Sequence, residues 1–227
     1  MTKNIVEKID NKVKIRTVLA SVSDKTGLDT FIPGLVEVNP DILILSTGGT
    51  YGTIKEILGK KAETCLKQVS DYTGQPETQG GLVKTLDFKI YLGLLTETFN
   101  DAHQDDLKRT SARAIDMVVV NLYPFSETIA KTGVSVEEAR GNIDIGGPTM
   151  IRAAAKNFIR VASVVDPLSY PLILEKLKAA KGSLSLTDRF DLAKKAFEHT
   201  AVYDQTIAGY LASNSFSSVE SCYTSGE

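Results

Sequence analysis

Five clusters of this 227-residue chain carry side chains suited to gripping an anion or moving a proton. The first, Ser21-Val22-Ser23-Asp24-Lys25-Thr26-Gly27, offers hydroxyls, a lysine and backbone amides where a helix is predicted to begin. Unsatisfied N–H groups and the positive end of the helix dipole attract negative charge there. The second, Ser46-Thr47-Gly48-Gly49-Thr50, sets two threonine hydroxyls around glycines that let backbone approach a ligand closely. Neither follows the Walker or the dinucleotide pattern. Taken singly, each is equally an N-cap with a tight turn; at the carboxyl ends of successive parallel strands, both can share one phosphate.

The other three clusters add proton chemistry. Gly80-Gly81-Leu82-Val83-Lys84-Thr85 closes a polar loop with a lysine and a threonine, although a solvated surface lysine would look the same. Asn121-Leu122-Tyr123-Pro124-Phe125 puts an amide and a phenol just past an apolar run, where Tyr123 could instead pack under a turn. Asn142-Ile143-Asp144-Ile145-Gly146-Gly147-Pro148-Thr149 places glycines before a proline at the first turn of a helix, an N-terminus with amides suited to an oxyanion. Asp144 could merely cap that helix. Lys156, near the helix's far end, would be favoured there by the dipole alone.

Composition narrows the partners. A formal net charge of -2 removes the electrostatic reason to expect nucleic acid, while a small anionic ligand stays open. The two cysteines, Cys65 and Cys222, lie far apart and imply no disulfide framework, which fits a reducing compartment. Residues 1–16 mix charges with isolated apolar residues, unlike a leader or anchor, and the longest apolar runs are strand-sized. A cytoplasmic protein without a membrane partner is expected. The two histidines, His103 and His199, show no zinc spacing, and no nucleophile-elbow motif supports a serine triad, so no metal is expected.

These clusters need a frame to hold them. From Thr17 on, strand-sized apolar runs alternate with helix-length amphipathic stretches, the pattern of parallel βαβ units. Strands are predicted at 17–22, 42–46, 117–121 and 161–165, with a weaker one at 66–69. Helices are predicted from about 26 and over 51–58. Residues 72–81 read as a loop long enough to suggest a function. Beyond 168 the pattern turns helical, with 170–180, a break at Gly182, and a long helix capped by Thr187 or Asp188 and running towards 211. The expected organisation is an extension at 1–15, one α/β domain at 16–212 with a C-terminal helical cover, and a frayed tail at 213–227.

The clusters, in this order, resemble the IMP cyclohydrolase domain of the bifunctional purine-biosynthesis enzyme that also carries AICAR transformylase. The matching segments include Ser70-Asp71-Tyr72-Thr73-Gly74, Val83-Lys84-Thr85-Leu86 and Arg152-Ala153-Ala154-Ala155-Lys156-Asn157, as well as the loops already quoted. The resemblance spans about 16–211 and implies a methylglyoxal-synthase-like, Rossmann-type parallel sheet flanked by helices, in a stand-alone form without the transformylase half. It implies ring closure and dehydration of 5-formamidoimidazole-4-carboxamide ribotide to IMP, without a cofactor, on substrate supplied by a separate formyltransferase. A homodimer stays open.

By that resemblance Ser23, Lys25, Thr26, Thr47, Gly49 and Thr50 hold the 5′-phosphate and ribose, with Thr85 and Asn121 also binding substrate. Lys84, Tyr123, Asp144 and Lys156 form the catalytic set. Asp144 would orient or deprotonate the carboxamide, Lys84 and the amides of Ile145 and Gly146 would stabilise the oxyanion, and Lys156 with Tyr123 would carry protons. The chain departs from the family at Leu82, where an arginine is usual, at Asp87-Phe88 in place of His-Pro, and at Tyr91 in place of a further histidine. The alternatives are a non-catalytic binder or sensor of purine ribotides and, less favoured, methylglyoxal synthase, whose Gly-Gly-Asp-Gln-Gln segment is absent.

Overall fold

The computed structural model describes residues 5–75 and 84–226. In chain order its strands are β1 (Lys12–Lys14), β2 (Thr17–Val22), β3 (Leu43–Ser46), β4 (Leu66–Gln68), β5 (Met117–Asn121), β6 (Ala162–Val164) and β7 (Ser183–Ser185). The helices of the first half are α1 (Leu28–Val38), α2 (Gly48–Leu58), α3 (Ala62–Cys65), α4 (Val69–Thr73), α5 (Phe88–Leu95) and α6 (Asp101–Thr110). Those of the second half are α7 (Phe125–Ile129), α8 (Val136–Gly141), α9 (Gly146–Lys156), α10 (Tyr170–Ala179), α11 (Leu186–Ser213) and α12 (Phe216–Glu220).

Five strands form one parallel sheet in the order β4-β3-β2-β5-β6. All five residues of β5 are buried, as expected for a parallel strand covered on both faces. Side chains alternate between the faces. Val18, Ala20 and Val119 join the core under α1, α2 and α10, where Phe31 stacks on Tyr170 at 4.2 Å. Leu19, Val118 and Val120 join the core under α5, α9 and α11. The chain first builds outward from β2 to β4, then returns to place β5 on the other side of β2. That reversal is a topological switch point, the place where loops at the carboxyl ends of strands form the ligand crevice in open α/β sheets.

The strand expectations match within a residue or so, including the weak run that becomes β4. Three features differ. Helix α2 starts at Gly48, three residues before the expected start, and Thr50 in its first turn is held by the Val22 backbone. The long helix α11 is capped by Ser185, not by Thr187 or Asp188; Asp188 is instead the reciprocal partner of the capping box. Beyond 213, where fraying was expected, Ser215 caps the short helix α12.

The segment before the sheet is fastened too. Strand β1 pairs antiparallel with β7, and the fully buried Arg189 donates to the carbonyls of Asp10 at 2.7 Å, Leu184 at 2.6 Å, and Phe158 and Ile159 at 3.0 Å.

At the amino-terminal edge of the sheet, Arg160 donates to Asp116 at 2.7 Å, and both side chains are buried. Asp116 also accepts the N–H groups of Arg16 and Thr17, each at 2.9 Å, which fixes the start of β2 against β5. Breaking a buried pair from one side strands an uncompensated charge. Arg160→Met should therefore lower the unfolding free energy by about 3 kcal/mol in urea titration, and a variant of unchanged stability would contradict this account.

Candidate active site at the carboxyl edge

The switch point is bridged by one side chain. Asn121, the last residue of β5, lies opposite Val22 in the register and is almost wholly buried. Its Oδ1 accepts the N–H groups of Ser23 at 2.7 Å and Asp24 at 2.9 Å, and its Nδ2 donates to the Asp24 carbonyl at 2.8 Å. Thr26 N–H is taken by Asp24, and Lys25 Nζ rests on the Ser23 carbonyl at 3.3 Å. The Ser23, Asp24 and Thr26 amides are thus spent on the loop's own shape. The loop also carries the Ser23 and Thr26 hydroxyls and the exposed Lys25 ammonium.

The second loop is open where the first is closed. Thr50 is buried, and its Oγ1 both accepts from Val22 N–H and donates to Val22 O, at 3.0 Å each, so it braces the loops together. Thr47 Oγ1 lies 3.1 Å from Ser21 Oγ. The N-terminus of α2 carries no side-chain cap, and Gly48 and Gly49 are exposed there. Gly48 has φ +46°, and a Cβ on it would lie 3.5 Å from the Lys84 Nζ. An uncapped helix start with an ammonium beside it has the chemistry to attract an anion.

The third wall is the start of α9. Asp144 Oδ1 accepts Gly147 N–H at 2.9 Å, so the carboxylate does cap the helix. A Cβ at Gly147 would come within 2.4 Å of Asp144 Oδ2, which is why no larger residue fits. A Cβ at Gly146 would sit 2.9 Å from Thr85 Oγ1. Lys84 and Thr85, neighbours in sequence, therefore touch the N-termini of α2 and α9 respectively. Burial pushes the Asp144 carboxyl above its ordinary value, against the lowering effect of the Gly147 and Gly146 amides. Tyr123 and Ile145 stand 60% and 62% exposed at the rim.

Lys156 does not join this group. It ends α9, whose 11 residues carry it about 15 Å along the axis from Gly146. Its successor, Asn157, bonds the carbonyls of Leu94 and Thr96 at 2.8 Å, in the region of Arg160 and the opposite sheet edge. The length of one helix thus sets the Lys156 backbone well apart from that of Asp144.

Two departures from the family pattern have local explanations. Asp87 caps α5 by accepting from Lys89 N–H at 2.7 Å. Tyr91 lies beside Thr149 in the first turn of α9, and burial pushes its hydroxyl up to about 12. Gly80, Gly81, Leu82 and Val83 lie outside the described residues, as does most of the predicted 72–81 loop, whose first residues close α4. Tyr203 of α11, whose hydroxyl accepts Asp144 N–H at 2.7 Å, was absent from the sequence-based set. Only an aromatic in a helical stretch marked it.

Comparison with known proteins fits this frame. The sequence profile described as the MGS-like domain matches residues 28–149, more than half of the chain. The chain belongs to the MGS-like domain family. Beyond the matched stretch of this MGS-like chain, the profile described as AICARFT/IMPCHase bienzyme covers 154–226. The bifunctional purine biosynthesis protein PurH of Acetivibrio thermocellus is 48% identical over 197 residues, covering 87% of this chain and 37% of its own length. The MGS-like chain therefore spans little more than a third of that relative. The crystal structure of ForH is 29% identical and superposes with a TM-score of 0.73, covering 85% of this chain and 95% of that one. Among the described residues no cluster of His, Cys, Asp or Glu is placed to hold a metal, and no helix is long and apolar enough to cross a membrane.

The Asp144 shift makes a pH prediction. Because its folded pKa is raised, the native state holds the proton more tightly than the unfolded chain, and stability falls as pH rises from 3.8 through the folded value. Asp144→Asn, which can still accept from Gly147, should raise Tm at pH 7, with the gain vanishing as pH drops below the ordinary carboxylate range. A variant that melts lower than the native chain at pH 7 would contradict a strained carboxylate.

Proposed function

We propose that this MGS-like domain is an IMP cyclohydrolase, closing the six-membered ring of a formamido-imidazole carboxamide ribotide with loss of water. The observation that carries this is the junction at Lys84-Thr85. It sets an uncapped helix start, fit for the 5′-phosphate, beside a second helix start that holds a carboxylate of raised pKa. The similarity to a stretch of PurH supports the same substrate class.

The reaction is intramolecular. The carboxamide nitrogen adds to the formyl carbon, the formyl oxygen gains charge, and that oxygen then leaves as water. Nothing is oxidised, so the chemistry asks for positioning, a base and oxyanion donors. Asp144 orients the carboxamide and takes its proton, better matched to the task than an ordinary carboxylate because burial raises its affinity for one. Lys84 faces the developing oxyanion. Tyr123, on the rim, returns a proton to the departing oxygen. Ser23, Lys25, Thr26, Thr47 and Gly49 line the phosphate and ribose end, while Asn121, Thr50 and Thr85 hold the loops in register around it.

In this proposal the working unit is 16–212, the setting is cytoplasmic, a separate formyltransferase supplies the ribotide, and a homodimer is compatible with it. The departures at Asp87 and Tyr91 favour, as a second possibility, a binder of purine ribotides that no longer turns them over.

Incubating the chain with the formylated ribotide and following hypoxanthine absorbance separates the two. IMP should appear, and Lys84→Ala should slow it by roughly a hundred- to thousandfold, the effect of removing one oxyanion donor. Lys156→Ala, on the far edge, should keep the rate within about twofold, as a surface change does. Tight ribotide binding without IMP formation would select the binder.

A further inference from the structure

We propose that Tyr203 is the positioning residue for Asp144, tying the long helix α11 to the ring-closing centre; the inference rests on the cyclohydrolase assignment of that centre. Asp144 lies in the short bend between α8 and α9, and its side chain is held by the amides that open α9, with Gly147 N–H at 2.9 Å. Its backbone N–H donates to the Tyr203 hydroxyl at 2.7 Å, a contact that crosses 59 residues of sequence. One bond holds the residue by its backbone and the other by its side chain. With the backbone free to rotate, the carboxylate could not keep one orientation towards a ligand.

The phenol is itself well held. Tyr203 is 8% exposed, and its ring meets Phe125 edge-on at 6.3 Å and 70°. Phe125 is 2% exposed and opens α7, two residues after Tyr123. One aromatic pair therefore connects the loop of Tyr123 with the backbone of Asp144. Tyr210, two turns further along α11, also packs edge-on against Phe125, at 5.8 Å and 86°. Its hydroxyl makes none of the hydrogen bonds at Asp144, where the N–H goes to Tyr203 and the carboxylate to Gly147. The two tyrosines share a packing partner and differ in the contact to the carboxylate's backbone. Helix α11 is a firm support, fixed at its start by the Ser185 capping box and by the buried Arg189.

The test compares Tyr203→Phe with Tyr210→Phe in the full chain. Each keeps a ring against Phe125, so both should fold with similar melting curves. Amide hydrogen exchange at Asp144 and steady-state kinetics on the formylated ribotide are then measured. Losing one hydrogen bond should leave the Asp144 amide roughly tenfold less protected in Tyr203→Phe and lower kcat by a similar factor. KM should stay within about twofold, because the phosphate end is untouched. Tyr210→Phe should match the native chain in all three. Native kcat in Tyr203→Phe, a rise in KM alone, or an equal loss in Tyr210→Phe would overturn the proposal. Exchange needs no turnover, so the two ideas fail separately. An unchanged Asp144 amide in Tyr203→Phe sinks the tie, whereas a native chain that makes no IMP sinks the cyclohydrolase assignment.

Discussion

Helices α2 and α9 lie on opposite faces of the sheet, yet their N-termini are joined by two consecutive residues. Lys84 lies near Gly48 and Thr85 near Gly146, over the carboxyl edge at the β2–β5 switch point. Both helix starts bring positive dipole ends to the same place, α2 without a side-chain cap and α9 with Asp144 on its first amides. The glycines are needed because the approach is close: Gly48 takes a left-handed backbone, and a Cβ at Gly146 would press on the Thr85 hydroxyl. Everything assigned to the site depends on this convergence, since neither helix start alone could hold a phosphate and also act on a base some distance from it.

The polar residues around the junction divide into braces and ligands. Asn121 and Thr50 are buried and use their side chains on backbone of the first loop, so they set its shape and have little left for a substrate. Lys25, Gly48, Gly49 and Lys84 face outward. Asp144 is intermediate: it caps α9, as its bland interpretation required, and its carboxyl is also raised by burial. The two roles are compatible, because a cap that is partly desolvated is a base held in one position. Strain of this kind at a carboxylate is a common mark of function.

Much of this was legible in the residues. Parallel strands covered on both faces appear as uninterrupted apolar runs, so Met117–Asn121 could be placed to the residue, and the glycine pairs marked the close approaches. What stayed hidden were contacts across long separations. Asn121 reaches Ser23 over 98 residues and Tyr203 reaches Asp144 over 59, and no local pattern records either. Helix α2 begins in glycines that disfavour helix on propensity, and its first turn is held by the long-range contact of Thr50 with the Val22 backbone. Lys156 is a different case, because the rise of a helix sets its backbone well along α9 from Asp144.

The central claim is that one ribotide spans the two helix starts. A crystal structure of the chain with IMP tests it most directly. The account requires the phosphate at the Gly48 and Gly49 amides with Lys84 close by, and the purine's six-membered ring against Asp144. IMP bound elsewhere, or bound with its phosphate away from α2 and its base away from Asp144, would contradict it.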